Sequence, residues 1–364
     1  MSALKPRPGI LEIEPYKPGE SLVDGVARVI KLSSNESPLG PSPRAIKALE
    51  AAAKEQHLYP DGTCEAIRTA LGRRHGLDPA RIVCGAGSDE LISLLARAYA
   101  GPGDEVLYSE YGFLMYPISA MGVGARPIAA PEKGLKADVD SLLAKLTKRT
   151  RILFLANPNN PTGSYLAKDE VARLVRALPL DVLLVIDAAY AEYVRRNDYS
   201  SGAELVDAHD NVVMMRTFSK IYGLAGQRIG WAYCPPAVAD ALNRLRNPFN
   251  VTASAQAAAL AALEDIQHVD RARASNDAVL PWVTAELERL GLEVAPSVGN
   301  FVLVRFPEGA KSADAANDFL AKRGIIPRKM GAYKLPRSLR ITIGTEADMR
   351  FVVATLAEFM GARQ

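Results

Sequence analysis

The stretch RILFLANPNNPTG, residues 151–163, decides how this chain folds. Ile152, Leu153, Phe154 and Leu155 form an uninterrupted apolar run. A strand with one wet face alternates apolar and polar residues, so a continuous short run fits a strand buried on both faces. The two Asn-Pro steps that follow end it in a turn. Working outward, the arrangement recurs. DVLLVID (181–187) is a second apolar run, and NVVMMR (211–216) is a third, followed directly by TFSK (217–220). Between the first two, residues 168–178 are amphipathic at helical spacing. Upstream, RIVCGAGSDE (81–90) reads as a short strand, a glycine turn and a helix start, with Leu91, Ile92, Leu94, Leu95 and Ala98 forming the helix's apolar face. GPGD (101–104) breaks that helix, and EVLY (105–108) opens another strand. Short apolar strands alternating with helices predict an α/β chain whose mainly parallel sheet has helices on both faces.

Past Trp231 the pattern changes. An Ala-rich helical region (251–263) leads into a helix over 277–290, then FVLVRF (301–306), a helix over 313–322 and LRITI (339–343). This predicts a smaller α+β domain over residues 247–364. A large domain would span 41–246, and an N-terminal arm of residues 1–40 would pack as part of the small domain.

Charge and cysteine usage narrow the function. Lys+Arg number 44 against 41 Asp+Glu, without a basic stripe, which argues against a nucleic-acid binder. Cys64, Cys84 and Cys234 form no C-x-x-C pair, so neither a disulfide framework nor a zinc site is expected. His57, His75, His209 and His268 share no ligand spacing, so no metal is expected. The start carries no apolar signal segment, and no run reaches membrane-spanning length. A cytoplasmic protein is the expectation.

In open parallel sheets, ligands sit outside the carboxyl ends of the strands. The conspicuous polar residues fall at such ends: Asn160 after the first run, Asp187 and Tyr190 at the second, and Thr217, Ser219 and Lys220 after the third. Each has an ordinary reading alone. Asn160 makes a turn, Asp187 caps a helix, and Lys220 is an exposed lysine. GAGSD (85–89) lacks the third glycine of a dinucleotide fingerprint, but its helix start would offer backbone N–H groups to an anion.

In their order along the chain, N-P-N-N-P-T-G, D-x-x-Y, T-x-S-K and an Arg eight residues after the Lys resemble the fold-type I pyridoxal-phosphate aminotransferases. The resemblance runs over nearly the whole chain and is closest to the histidinol-phosphate aminotransferases. SSNESPLG (33–40), LYPDG (58–62), NPFN (247–250), GNF (299–301) and LRITIG (339–344) support it. It implies pyridoxal 5'-phosphate as cofactor, attached covalently through Lys220. A pyridoxal ring draws electrons only while its pyridine nitrogen stays protonated, and Asp187 matches the carboxylate that holds that proton. Asn160 and Tyr190 match the donors to the phenolic oxygen. Ser88, Asp89, Thr217, Ser219 and Arg228 match the phosphate site. Tyr111 matches the aromatic stacked on the ring, with Phe113 or Tyr116 as competitors.

Tyr59 matches a tyrosine that reaches a neighbour's cofactor phosphate, which implies a homodimer with shared sites. Tyr16, Asn35, Arg328 and Arg340 match substrate-facing positions. The implied reaction moves an amino group from L-histidinol phosphate to 2-oxoglutarate, in histidine biosynthesis. An aromatic amino-acid aminotransferase and a phosphothreonine decarboxylase of the same fold are the alternatives. A transcription regulator of this fold would carry an added DNA-binding domain, and here the chain is read as beginning its own fold by about residue 10.

Overall fold

Side chains along each apolar run leave the sheet alternately on its two faces. Leu153, Leu155, Leu184, Ile186 and Met214 pack into one buried cluster. Ile152, Phe154, Val185, Val213 and Met215 pack into another on the opposite side. Both faces are dry, which is why these runs carry no polar alternation. The computed structural model, which describes residues 4–22 and 28–361, arranges seven strands in the spatial order Ile82–Gly85, Gly230–Tyr233, Val212–Thr217, Leu183–Asp187, Thr150–Ala156, Glu105–Ser109, Arg126–Ala130. Gly230–Tyr233 runs antiparallel to both neighbours, and the other pairings are parallel. The carboxyl ends of the parallel strands therefore share one edge, and the polar residues that follow them converge there.

A second core joins an antiparallel sheet, in the order Arg328–Lys329, Ser338–Thr342, Phe301–Arg305, Glu293–Ala295, to the helix Glu346–Met360. The arm joins this core: Ile30–Lys31 pairs in parallel with Ile325–Ile326, and Ile30 and Leu32 are buried with Val302, Ile341 and Leu356. The start of the small domain differs from the expected residue 247. The helix Ala253–Glu264 buries Ala255, Ala258, Ala259 and Ala262 in the large domain's core. The next helix, Ile266–Arg289, sends Val269 and Ala272 into that same core and Val279, Val283 and Leu287 into the small one. The core changes within one helix. No composition shift marks the point, because a helix crossing between cores keeps its apolar period throughout.

Candidate active site

At the shared strand edge lies a cavity of about 200 Å³. Its lining includes Tyr16, Asn35, Ser88, Asp89, Asn160, Asp187, Tyr190, Thr217, Ser219, Lys220, Arg228 and Arg340, all expected from sequence. Strand ends of the large sheet, the helix start at Ser88, the turn at Arg228, the arm and the small-domain strand Ser338–Thr342 deliver them, so residues more than 300 positions apart in sequence meet (Asn35 and Arg340).

Asp187 closes its strand and is buried. Its Oδ2 accepts a hydrogen bond from the Tyr116 hydroxyl at 2.9 Å. Its Oδ1 is buried without any partner. An unpaired buried carboxylate oxygen is costly, and Asp187 is among the residues that line the cavity. Burial pushes the Asp187 carboxyl up to about 6, against the opposing pull of the Tyr116 bond. Across the cavity, burial and then the Arg340 charge draw the Lys220 amine down to about 8. Lys220 Nζ donates to the Ser34 carbonyl at 3.2 Å. A lysine poised this way has a sizeable neutral, nucleophilic fraction near neutrality.

The helix Ser88–Tyr99 begins at Gly87 with no side-chain cap, so its first N–H groups stay open to an anion. Gly87 sits at φ +86°, and a Cβ there would fall 2.3 Å from Arg228 Nη2. Only glycine lets the guanidinium close over the helix end. Arg228 Nη2 meets Asp89 Oδ2 at 3.1 Å, and its Nη1 donates to the Ala225 carbonyl at 3.0 Å. Gly230 serves the same approach, since its Cβ would lie 2.5 Å from the Ser88 nitrogen. Uncapped amides, the hydroxyls of Ser219 and Thr217 and one guanidinium make a phosphate-sized anion cradle.

Arg340 is buried. It donates through Nη1 to Asn160 Oδ1 and through Nη2 to the Ser33 carbonyl at 2.7 Å. Its Nε has no partner. The bond to Oδ1 leaves the Asn160 amide nitrogen as the group free to donate. Tyr190 is buried, and its oxygen accepts from Asn35 Nδ2 at 2.9 Å.

Three expected residues stand elsewhere. Tyr111 is not among the lining residues; its backbone N–H turns to Glu132, and Phe113, two residues on, lines the cavity instead. The loop through Gly112, where a Cβ would meet the Ser109 carbonyl at 2.9 Å, turns tightly enough to swap which aromatic faces inward. Arg328 lines the adjoining cleft rather than this cavity. It donates to the Lys17 carbonyl and lies over the ring of Tyr16, which borders both spaces. Tyr59 is 83% exposed, stacked on Phe249 with ring centroids 4.7 Å apart. Tyr116 is the residue whose role the sequence reading left open: its ring stacks on Phe154 at 4.8 Å while its hydroxyl meets Asp187. Among the described residues no cluster could hold a metal ion, and no helix is long and apolar enough to cross a membrane.

Comparison with known proteins identifies the family. The chain matches the aminotransferase class I and II family over residues 27–356. A histidinol-phosphate aminotransferase of Paramagnetospirillum magneticum is 61% identical over 363 residues, covering 100% of both chains. One from Rhodospirillum centenum is 58% identical over 360 residues, 99% of each. The crystal structure of histidinol-phosphate aminotransferase from Sinorhizobium meliloti, in complex with pyridoxal-5'-phosphate, aligns with a TM-score of 0.87 at 32% identity over 92% of each chain.

Proposed function

Because this chain belongs to the class I and II aminotransferases, we infer that it is a pyridoxal-phosphate enzyme that moves the amino group of L-histidinol phosphate to 2-oxoglutarate. The products are imidazole-acetol phosphate and L-glutamate, in histidine biosynthesis. The partnerless Asp187 Oδ1 and the uncapped, glycine-gated helix end fit the two charged ends of the cofactor. When bound, pyridoxal phosphate supplies an electron sink joined to the reacting carbon. Asp187 would hold the proton on the pyridine nitrogen, with Tyr116 fixing its carboxylate. Asn160 and Tyr190 would donate to the phenolic oxygen. Lys220 Nζ would carry the cofactor, and its amine would serve as the base for the substrate Cα proton.

The observation that carries the substrate is the arginine pair. Arg328 and Arg340 are directly opposed across adjacent antiparallel strands, so their side chains leave the same face of the sheet. Among the described residues neither has a carboxylate partner, and Arg340 keeps an unused N–H. Two guanidinium groups on one face that no carboxylate neutralises call for a dianion. Histidinol phosphate carries one on the carbon beside Cα, whereas an aromatic amino acid presents a single carboxylate charge. The test is a donor panel with 2-oxoglutarate as acceptor, comparing histidinol phosphate, phenylalanine and phosphothreonine. Arg328→Ala should lower kcat/KM for histidinol phosphate about 10- to 100-fold, the worth of one charge-assisted contact, and leave phenylalanine nearly unchanged. Equal losses on both donors, or phenylalanine as the best donor of the unmutated protein, would defeat the dianion assignment.

We place the working enzyme as a homodimer in the cytoplasm. The three cysteines are free and buried, in keeping with a reducing compartment. Leu58, Tyr59 and Phe249 form an exposed apolar patch with Tyr59 projecting from it. Neither Tyr59 nor Phe249 lines the cavity of its own chain, so the reading has Tyr59 completing the partner's phosphate site. Mixing Lys220→Ala with Tyr59→Ala protein then creates hybrid dimers with one intact site. Statistical exchange should restore about a quarter of the unmutated activity. Exchange demonstrated by mass, with no activity regained, would leave Tyr59 outside the partner's site.

A further inference from the structure

Asn35 was expected to face the substrate, and it does border the cavity, but its hydrogen bonds point elsewhere. It is 1% exposed, at φ 57°, and held on three sides. Its backbone N–H donates to Thr342 Oγ1 at 2.9 Å, and the Thr342 hydroxyl donates back to Asn35 Oδ1 at 3.1 Å. Its carbonyl accepts from Asn300 Nδ2 at 3.1 Å. Thr342 Oγ1 accepts from the Asn35 backbone N–H and gives its single proton to Oδ1, an arrangement that turns the amide nitrogen toward Tyr190. Asn35 Nδ2 therefore faces Tyr190 and can only donate, at 2.9 Å. Tyr190 has one proton, and with its oxygen accepting from Asn35 that proton is left for the cavity.

We propose that Asn35 is a positioning residue that fixes the direction of the Tyr190 hydrogen bond and thereby tunes how tightly the Lys220 nitrogen holds its proton in the covalent link to the cofactor, under control of Thr342 in the small domain. The inference rests on the cofactor reading above. A donor on the phenolic oxygen competes for the electron density that would otherwise hold the neighbouring nitrogen's proton. Losing that donor tightens the proton. Thr342 lies on the strand Ser338–Thr342, and Asn300 immediately precedes the strand Phe301–Arg305, both in the small domain's sheet. The direction of Tyr190's bond is thus set by the domain that also presents Arg340, so seating of the small domain and readiness of the cofactor are linked through one amide.

The test is a spectrophotometric pH titration of the Lys220–cofactor chromophore. An aspartate at position 35 still receives the Thr342 hydroxyl but turns its second oxygen into an acceptor, which takes the Tyr190 proton away from the cavity. Asn35→Asp and Tyr190→Phe should each raise the chromophore's apparent pKa by about 1 to 2, the range expected for one hydrogen bond to a charged group. The double variant should titrate like Tyr190→Phe alone. Thr342→Val should shift the pKa upward by less, and Thr342→Ser should not move it. Additive shifts in the double variant would mean the new charge acts directly on the link and would overturn the proposal, as would an unmoved pKa in Asn35→Asp. If Asn35→Asp does not fold, Thr342→Val decides alone: an unmoved titration sinks the relay. Absence of any chromophore in the unmutated protein supplied with pyridoxal phosphate would instead overturn the cofactor reading, a separate and recognisable failure.

Discussion

Lys220→Ala should lose the visible chromophore and at least about 1,000-fold in turnover, since both covalent attachment and proton transfer at Cα depend on its amine. Absorbance after incubation with pyridoxal phosphate, followed by gel filtration, reads the first loss; steady-state assay reads the second. A surviving covalent chromophore would put the linkage on another lysine. The same substitution has an opposite effect on the cofactor-free protein. Burial, with the Arg340 charge behind it, lowers the amine from 10.5 to about 8. The unfolded chain thus holds a proton more firmly, and folding is penalised wherever the amine must be desolvated as a cation. That penalty is full below pH 8, shrinks as pH rises toward 10.5, and is gone above it. Lys220→Ala should therefore stabilise the cofactor-free protein at neutral pH by up to about 3 kcal/mol, with the gain vanishing in alkaline buffer. A loss of stability at neutral pH would mean that the lysine sits in a favourable ionic setting.

Asp187→Ala should reduce turnover by at least about 100-fold while weakening cofactor binding less, because the carboxylate is needed most when charge moves onto the ring. The buried, partnerless Oδ1 is the structural ground. Stability again moves the other way. Burial raises this carboxyl from 3.8 to about 6, so its contribution to folding is most favourable below pH 3.8 and is lost as pH rises through 6. At neutral pH the cofactor-free protein carries that cost, up to about 3 kcal/mol, and Asp187→Asn should recover part of it while remaining catalytically poor. Thermal melts of cofactor-free protein at pH 5 and pH 8 check the sign: the gain from Asn should be larger at pH 8. Near-normal turnover in Asp187→Ala would remove it from the ring nitrogen.

These two residues show how far the chain can be read unaided. The positions of Asp187 and Lys220 were legible because Asp187 closes one uninterrupted apolar run and Lys220 lies a few residues beyond another, and such runs become parallel strands whose ends share an edge. The alternation of strands and helices and the mainly parallel sheet follow from local spacing, and the residues of the anion cradle from the chain's resemblance to the pyridoxal-phosphate aminotransferases. Tertiary structure decided the rest, where local sequence is degenerate. Tyr111, Phe113 and Tyr116 are equally aromatic, and only the tight turn at Gly112 selects Phe113 for the wall and Tyr116 for Asp187. The helix Ile266–Arg289 keeps one apolar period while passing from one core to the other, so no pattern marks the domain change. Asn35 reads in sequence only as a match to a substrate-facing position, and its partners Thr342, Asn300 and Tyr190 lie between 155 and 307 residues away. A donor's direction depends on what surrounds it in space. Periodicity along the chain carries the strand and the face; hydrogen-bond direction and the choice among like side chains exist only once distant segments meet.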